Sequence, residues 1–197
     1  FRSYAAPASS APASDDELQG AGERLGAALA PYAQEFEHTL ATLLRAKLGL
    51  MEAREDDGAL ADDLLRLMAA ARADFTISFR RLGAFSSAQG AGNEPLRDQF
   101  IDRDAFDAWA ARYAARLRAE GSIDAERAAR MNRVNPKYIL RNHLAQRAIE
   151  QAQQGDYEEV RRLARVLEHP FDEQPEHEAY AGFAPDWARD LEVSCSS

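Results

Sequence analysis

The sequence has 197 residues, of which 46% are hydrophobic, and its formal net charge at pH 7 is −9. This charge argues against a general nucleic-acid-binding protein, because no excess of basic side chains is present to neutralise phosphates. No apolar run reaches the roughly 20 residues of a membrane span, and the single cysteine excludes an internal disulfide framework and a cysteine zinc site.

The two ends of the chain differ in composition from its middle. Residues 1–14 are rich in Ala, Pro and Ser, which predicts a flexible linker, and the chain starts at Phe1 rather than Met, as expected for a fragment or a processed product. Residues 15–170 are predicted to form a helical domain. Residues 171–197 contain two prolines, Pro175 and Pro185, and are predicted to form an irregular tail.

The first helical pattern runs from about 23 to 48. Pro31 predicts a break within it, since proline removes a backbone donor. Phe36 and Leu40 lie on one face, and Gly49 is predicted to end the helix.

Further helices are predicted from apolar residues at helical spacing, namely Leu60, Leu64, Leu67 and Met68, followed by Phe75, Phe79 and Leu82. Residues 83–99 are rich in glycine and small polar residues, which predicts a loop and a contact segment. No lysine follows its glycines, so it does not resemble a phosphate-binding loop.

The heaviest apolar face of the chain follows this loop, with Asp102 or Asp104 as the predicted cap. It comprises Phe106, Trp109, Ala110, Tyr113 and Leu117. We expect Trp109 in the main core, because aromatic residues at this spacing are typical of a buried helix face. Gly121 is predicted to end this helix, and a short helix is predicted over about 124–131.

Residues 131–168 read as a helical hairpin. Asn135 is the predicted cap of its first helix and Pro136 the first helical residue. Gly155 is predicted to end that helix and Asp156 to cap the second. The facing stripes are predicted to comprise Leu140, Leu144, Ala145, Ala148, Ile149 and Ala152 on one helix, and Tyr157, Val160, Ala164 and Leu167 on the other. The whole pattern predicts an all-α, irregular multi-helix bundle with a C-terminal hairpin and an extended tail.

The polar face at the start of this hairpin provides the candidate contact residues. Lys137 places a cation in the predicted first turn, where the helix dipole disfavours it. Asn135, Lys137, Arg141 and Asn142 form either a solvated face or contacts to acidic groups and carbonyls of the tail or of a neighbouring lobe. The acidic run 172–178 beside His169 is interpreted as a solvated tail; a metal site is the alternative.

Several of these segments resemble one known family. NPKYILRNHLAQRAIEQAQQGDY, PFDEQP, DWA and the terminal LEVSCSS closely resemble the C-terminal end of the selenoprotein O (SelO) family, and RAKLGL, DFTISFRRL and DAFDAWAARYAARL resemble the preceding helices. The resemblance covers roughly residues 30–197. It implies the C-terminal part of a kinase-like enzyme that uses ATP with Mg or Mn to transfer AMP to protein hydroxyls.

The same resemblance implies how the work is divided along the parent protein. The nucleotide and metal residues are expected in an upstream kinase-like lobe, so no catalytic residue is assigned here and this chain alone should be inactive. Cys195, third from the end, is expected to be a redox partner of a cysteine outside this chain, with a thioredoxin-type reductant. The bacterial cytoplasm is the expected compartment.

Two other functions remain open from the residues alone. A helical hairpin such as 136–168 is typical of a stand-alone interaction module, although no second copy recurs at a fixed period. A metal-dependent hydrolase is disfavoured, because no two histidines have the spacing of a helical metal site.

Overall fold

The computed structural model describes residues 15–188 and residue 191, and it confirms the predicted all-α class. No strand occurs in these residues, and no helix among them is long and apolar enough to cross a membrane. The helices are α1 (Asp15–Lys47), α2 (Asp57–Ala71), α3 (Phe75–Leu82), α4 (Glu94–Arg97), α5 (Arg103–Ala119), α6 (Asp124–Asn132), α7 (Asn142–Gln153) and α8 (Glu158–Glu168), followed by 3-10 turns at Pro175–Ala181 and Asp186–Ala188. The predicted linker 1–14 and Cys195 lie outside the described residues.

The chain divides into two compact units, Phe1–Thr42 and Leu43–Ser197. Most of α1 belongs to the first unit, and the predicted break at Pro31 is wrong, because the helix continues through it. Proline removes one backbone donor, but the alanine- and leucine-rich flanks on both sides favour helix strongly enough to continue the helix past it.

The core of the second unit is built around the aromatic face of α5, as predicted. Trp109 is 2% exposed, and its ring stacks on Tyr113 with the centroids 5.0 Å apart. The indole N–H donates to the carbonyl of Leu60 on α2 at 2.9 Å. Buried tryptophan and tyrosine usually have such a polar partner, so this face fixes the position of α2 as well as filling the core.

The predicted signals at both ends of α5 and at the C-terminal end of α7 are confirmed. The side chain of Asp102 accepts a hydrogen bond from the backbone N–H of Ala105, which satisfies one free donor of the first turn of α5. Gly121 and Gly155 both adopt the left-handed conformation, with φ of 65° and 84°. Glycine takes this conformation without steric cost, so both positions end their helices as expected.

The loop after α3 is more ordered than its composition predicts. Residues 94–97 form α4, and Arg127 donates from α6 to the carbonyl of Phe85. Asp124 accepts from both the backbone N–H (3.0 Å) and the hydroxyl (2.7 Å) of Ser87. Burial alone would raise the pKa of Asp124, but these bonds and the Arg127 guanidinium lower the pKa to about 2.

The C-terminal hairpin is present, but the predicted stripe on its second helix is wrong. Leu163 packs against Leu144 of α7, whereas Val160 is 42% exposed. The buried side of α8 includes Glu159, whose carboxylate accepts from the Tyr180 hydroxyl at 3.0 Å. Because the Tyr180 hydroxyl satisfies this carboxylate, Glu159 can occupy the packed face of α8 while Val160 faces outward.

The backbone at the end of α1 is enclosed by side chains of α5 and α6. The Tyr113 hydroxyl donates to the carbonyl of Leu48 at 2.6 Å inside the core, where burial raises the pKa of Tyr113 far above its ordinary value. Gly49 has a φ of 70°, and a Cβ there would lie 2.6 Å from Cγ of Arg127 and 2.7 Å from Cγ of Met131. Both neighbours are fully buried, so neither can move aside easily.

We predict that Gly49→Ala lowers the free energy of unfolding by about 3 kcal/mol, since left-handed strain and overpacking each cost about 1–2 kcal/mol. Gly121→Ala is the matched control, because Gly121 is also left-handed but has no heavy atom within 4 Å of the added Cβ. It should lose only the strain, about 1 kcal/mol. Urea unfolding measures the free energy of unfolding of both variants. Equal losses of stability would contradict the close packing of Arg127 and Met131 on Gly49.

Candidate functional site

The four predicted contact residues lie in or beside the connector between α6 and α7, residues 133–141. Asn135 does not cap a helix, since α7 starts only at Asn142. The backbone N–H groups of Lys137 and Tyr138 instead donate to the carbonyl of Pro170, at 2.8 and 3.1 Å. These two N–H groups therefore have a partner from another part of the chain. The prediction that residues 136–141 are helical is wrong.

Asn135 lies at the centre of the connector and has no exposed surface. Its Nδ2 donates to the carbonyl of Lys47 at 3.0 Å, and its Oδ1 accepts from Nζ of the same lysine at 3.2 Å. Lys47 Nζ also lies 5.4 and 5.2 Å from the ring centroids of Phe75 and Phe79. Burial lowers the pKa of Lys47. The connector thus closes over the last residue of α1.

Lys137 contacts the chain beyond α8. Its Nζ lies 2.6 Å from a carboxylate oxygen of Glu173 and 2.5 Å from one of Glu178. Arg80 of α3 donates to the other oxygen of Glu173 at 2.6 Å. These hydrogen bonds, from Lys137 first and then Arg80, hold the pKa of Glu173 below its usual value. Burial would lower the pKa of Lys137, but its two carboxylate partners raise it.

Arg141 and Asn142 point to two further segments. The guanidinium of Arg141 donates to both oxygens of Asp74, at 2.5 and 3.1 Å, and Asp74 also caps α3 by accepting from the N–H of Ile77. Burial would raise the pKa of Asp74, but these bonds lower it. The side chain of Asn142 donates to the carbonyl of Leu191 at 2.9 Å.

Of the two interpretations left open for Lys137, the structure shows the contact with acidic groups of the tail, but most of the other partners at this site could not be identified from the sequence. The run 172–178 was interpreted as solvated, yet two of its glutamates are bonded to Lys137. Neither Lys47 nor Asp74 was singled out, because their partners lie 88 and 67 residues further along the chain. No local signal identifies Lys47, because its aromatic neighbours Phe75 and Phe79 also lie far along the chain.

The groups at this site are suited to holding segments together. Cations, carboxylates and backbone carbonyls from α1, α3, the connector and the chain after α8 bond to one another. In the part of the chain that the structure describes, no three His, Cys, Asp or Glu side chains form a group that could hold a metal ion. His143, the most buried histidine there, has its pKa lowered by burial and then by Arg141 and Arg147.

Comparison with known proteins gives consistent matches. Residues 19–168 match the family model described as protein adenylyltransferase SelO. The chain is 56% identical over 187 residues to the protein nucleotidyltransferase YdiU of Burkholderia thailandensis, covering 95% of this chain and 36% of that protein. It is equally similar to YdiU of Burkholderia multivorans, over 93% of this chain and 35% of the relative. The chain therefore spans about a third of the length of these relatives.

We predict that Asn135→Ala lowers the free energy of unfolding by about 1–3 kcal/mol, because it leaves the buried Lys47 carbonyl without its donor. Asn142→Ala also removes one side-chain bond to a carbonyl, but at an exposed position, and should change stability by at most about 0.5 kcal/mol. Thermal or urea unfolding measures the difference. If Asn142→Ala lowered the stability as much as Asn135→Ala, the buried hydrogen bonds between Asn135 and Lys47 would not be the contact that holds the connector.

Proposed function

The chain belongs to the SelO family, and on that premise we propose that it is the C-terminal helical region of a protein adenylyltransferase. The parent enzyme would transfer AMP from ATP to Ser, Thr or Tyr hydroxyls of proteins in the bacterial cytoplasm. The observation that carries this proposal is the coverage, since nearly the whole chain matches YdiU proteins at 56% identity but spans only 36% of their length.

We propose that the residues for ATP and for Mg or Mn lie in the part of the parent protein that this chain does not span. The described residues do not fit such a site, because no acidic group among them could hold a metal ion. The glycine-rich loop does not fit a triphosphate either, since Asn93 closes it by bonding both the N–H and the carbonyl of Ser86. No step of the transfer is therefore assigned to these residues.

The described part of α1 supports a buttressing role. Its first-unit portion carries an apolar stripe whose members are three or four residues apart and at least 43% exposed. The stripe comprises Leu25, Leu29, Tyr32, Phe36 and Leu40. Such a stripe is typical of a helix face that packs on a partner. Because about two thirds of the relatives' length lies outside this chain, we assign the stripe to the kinase-like lobe of the same polypeptide.

Cys195 is proposed as a redox switch on this activity, in exchange with a cysteine of the parent protein and a thioredoxin-type reductant. It lies outside the described residues. The bond from Asn142 to the carbonyl of Leu191 supports this by anchoring the chain to the start of α7 four residues before the thiol. A thiol on a segment tethered in this way is well placed for exchange if solvent reaches it.

A stand-alone interaction module is the second candidate, and the exposed stripe on α1 also favours it. The two candidates differ in what covers that stripe. In the first it is the remainder of the same polypeptide, and in the second it is a separate protein. The comparisons favour the first, because the relatives contain this region within a longer chain.

We predict that Phe36→Glu in the full-length parent enzyme reduces both its thermal stability and AMP incorporation from labelled ATP into protein, because the charge enters a buried contact. In the 197-residue chain alone the same change should alter stability by at most about 0.5 kcal/mol. Gln34→Glu adds the same charge on the opposite side of α1, two residues and about 200° away, and should be neutral in both. A parent enzyme unaffected by Phe36→Glu would contradict the buttress. AMP transfer by the isolated chain would contradict the assignment of catalysis to the missing part.

A further inference from the structure

Three cations surround a cavity of about 300 Å³ beside the connector. We call Arg80, Arg81 and Lys137 the cation socket. The remaining lining includes Ile77 from α3 and Phe183 from the chain after α8. In a protein of net charge −9, such a cluster of positive side chains around a partly apolar cavity is a local exception, and it defines the chemistry that the cavity can accept.

The cations of the socket are held in place by the body of the fold. Nη1 of Arg80 donates to the carbonyls of Asn132 and Asn135, at 3.0 and 3.1 Å. The Arg80 and Lys137 side chains are each only 13% exposed. These two positive groups are therefore preorganised, and no rearrangement is needed before a carboxylate binds to them.

The present occupants of the socket belong to residues 171–188, which we call the strap. Glu173 and Glu178 bond to the cations although both carboxylate side chains remain 63% exposed, and Phe183 lies 5.3 Å below the guanidinium of Arg81. No residue of the turn Pro175–Ala181 is buried. Because both carboxylate side chains are largely exposed while the cations are not, the two glutamates are the half of each ion pair that can exchange with water or with another carboxylate.

The strap does not neutralise the socket. Arg81 donates to the carbonyl of Pro95 but forms no ion pair with any residue in the described range. Within the socket three cations thus face the two carboxylates of the strap. The carboxylates of Asp98 and Asp186 line a neighbouring cavity that Arg81 also borders, and neither lines the socket. A ligand with acidic groups and an aromatic ring would satisfy the same positions as the strap and could supply the missing negative charge.

We propose that the cation socket is a docking site for an acidic, aromatic-containing segment of a partner protein, and that the strap occupies it by presenting the same groups. The partner segment displaces the side chains of Glu173, Glu178 and Phe183. The other anchors of the strap stay in place, namely the Tyr180 hydroxyl on Glu159 and the bonds of the Gln174 side chain to the carbonyls of Val166 and His169. The strap then acts as an internal competitor that sets the affinity for the partner. This inference does not depend on the proposed AMP transfer.

A fluorescently labelled peptide of residues 171–184 tests the proposal by anisotropy with the 197-residue chain. Glu173→Gln with Glu178→Gln in the protein should tighten peptide binding about tenfold, because the apparent affinity rises when the competitor no longer occupies the site. The matched control is Glu168→Gln with Glu176→Gln, two exposed glutamates that form no ion pair within the described residues. It makes the same charge change and should bind as the unmodified chain does.

Two further arms separate docking from a purely structural latch. Arg81→Gln, added to the double variant, should weaken peptide binding by more than threefold while circular dichroism stays unchanged, because Arg81 has no ion pair to lose in the fold. A peptide with Gln in place of Glu173 and Glu178 should not bind. The proposal is overturned if the double variant and its control bind the peptide equally, or if neither binds it.

Discussion

The fold of the described residues from 43 onward depends on how the last turn of α1 is enclosed. Its terminal carbonyls have no partner within the helix, and two buried side chains supply donors, the Tyr113 hydroxyl to Leu48 and the Asn135 amide to Lys47. Gly49 then reverses the chain in a space where a methyl group would overlap the neighbouring α6 side chains. Because a buried carbonyl without a donor is costly, α5, the connector and α6 must all be in place for α1 to end here. One helix terminus therefore couples three other segments.

The connector converts this constraint into a binding surface. The buried side chain of Asn135 fixes the position of the connector, so the residues that follow contact defined partners. Lys137 contacts the carboxylates after α8, and Arg141 contacts Asp74 at the start of α3. Arg80 shares this arrangement, because the carbonyl of Asn135 in the connector accepts a hydrogen bond from its guanidinium and orients it. Hydrogen bonds inside the fold hold the cations, and the exposed carboxylates of Glu173 and Glu178 pair with them from the solvent side. A regulated docking site requires a rigid set of binding groups and a second set that can be exchanged, and the cations and the carboxylates correspond to these two sets.

Local signals in the sequence predicted local structure well. Asp102 and Gly121 bound α5 as expected, because a side-chain cap and a left-handed glycine act within a few residues. Predictions failed where a partner far along the chain determines the local conformation or the buried face. Asn135 has the sequence context of a helix cap, but its side chain is committed to a lysine 88 residues earlier. Val160 fits the predicted apolar stripe, yet the packed face turns towards Glu159 because a tyrosine hydroxyl satisfies that carboxylate. The candidate contact residues were found, whereas their partners needed the fold.

The claim that the end of α1 couples these segments is tested most directly by native-state hydrogen exchange. Leu50 donates its N–H back to α1 and Asn135 donates its N–H to the carbonyl of Met131 at 2.7 Å. Both amides should exchange only through global unfolding, with the same opening free energy as the amides of α5. Tyr113→Phe should lower all of these values by one common amount. If the amides of residues 48–50 opened at a lower free energy while α5 kept its protection, the end of α1 would be a fraying terminus and the account would be wrong.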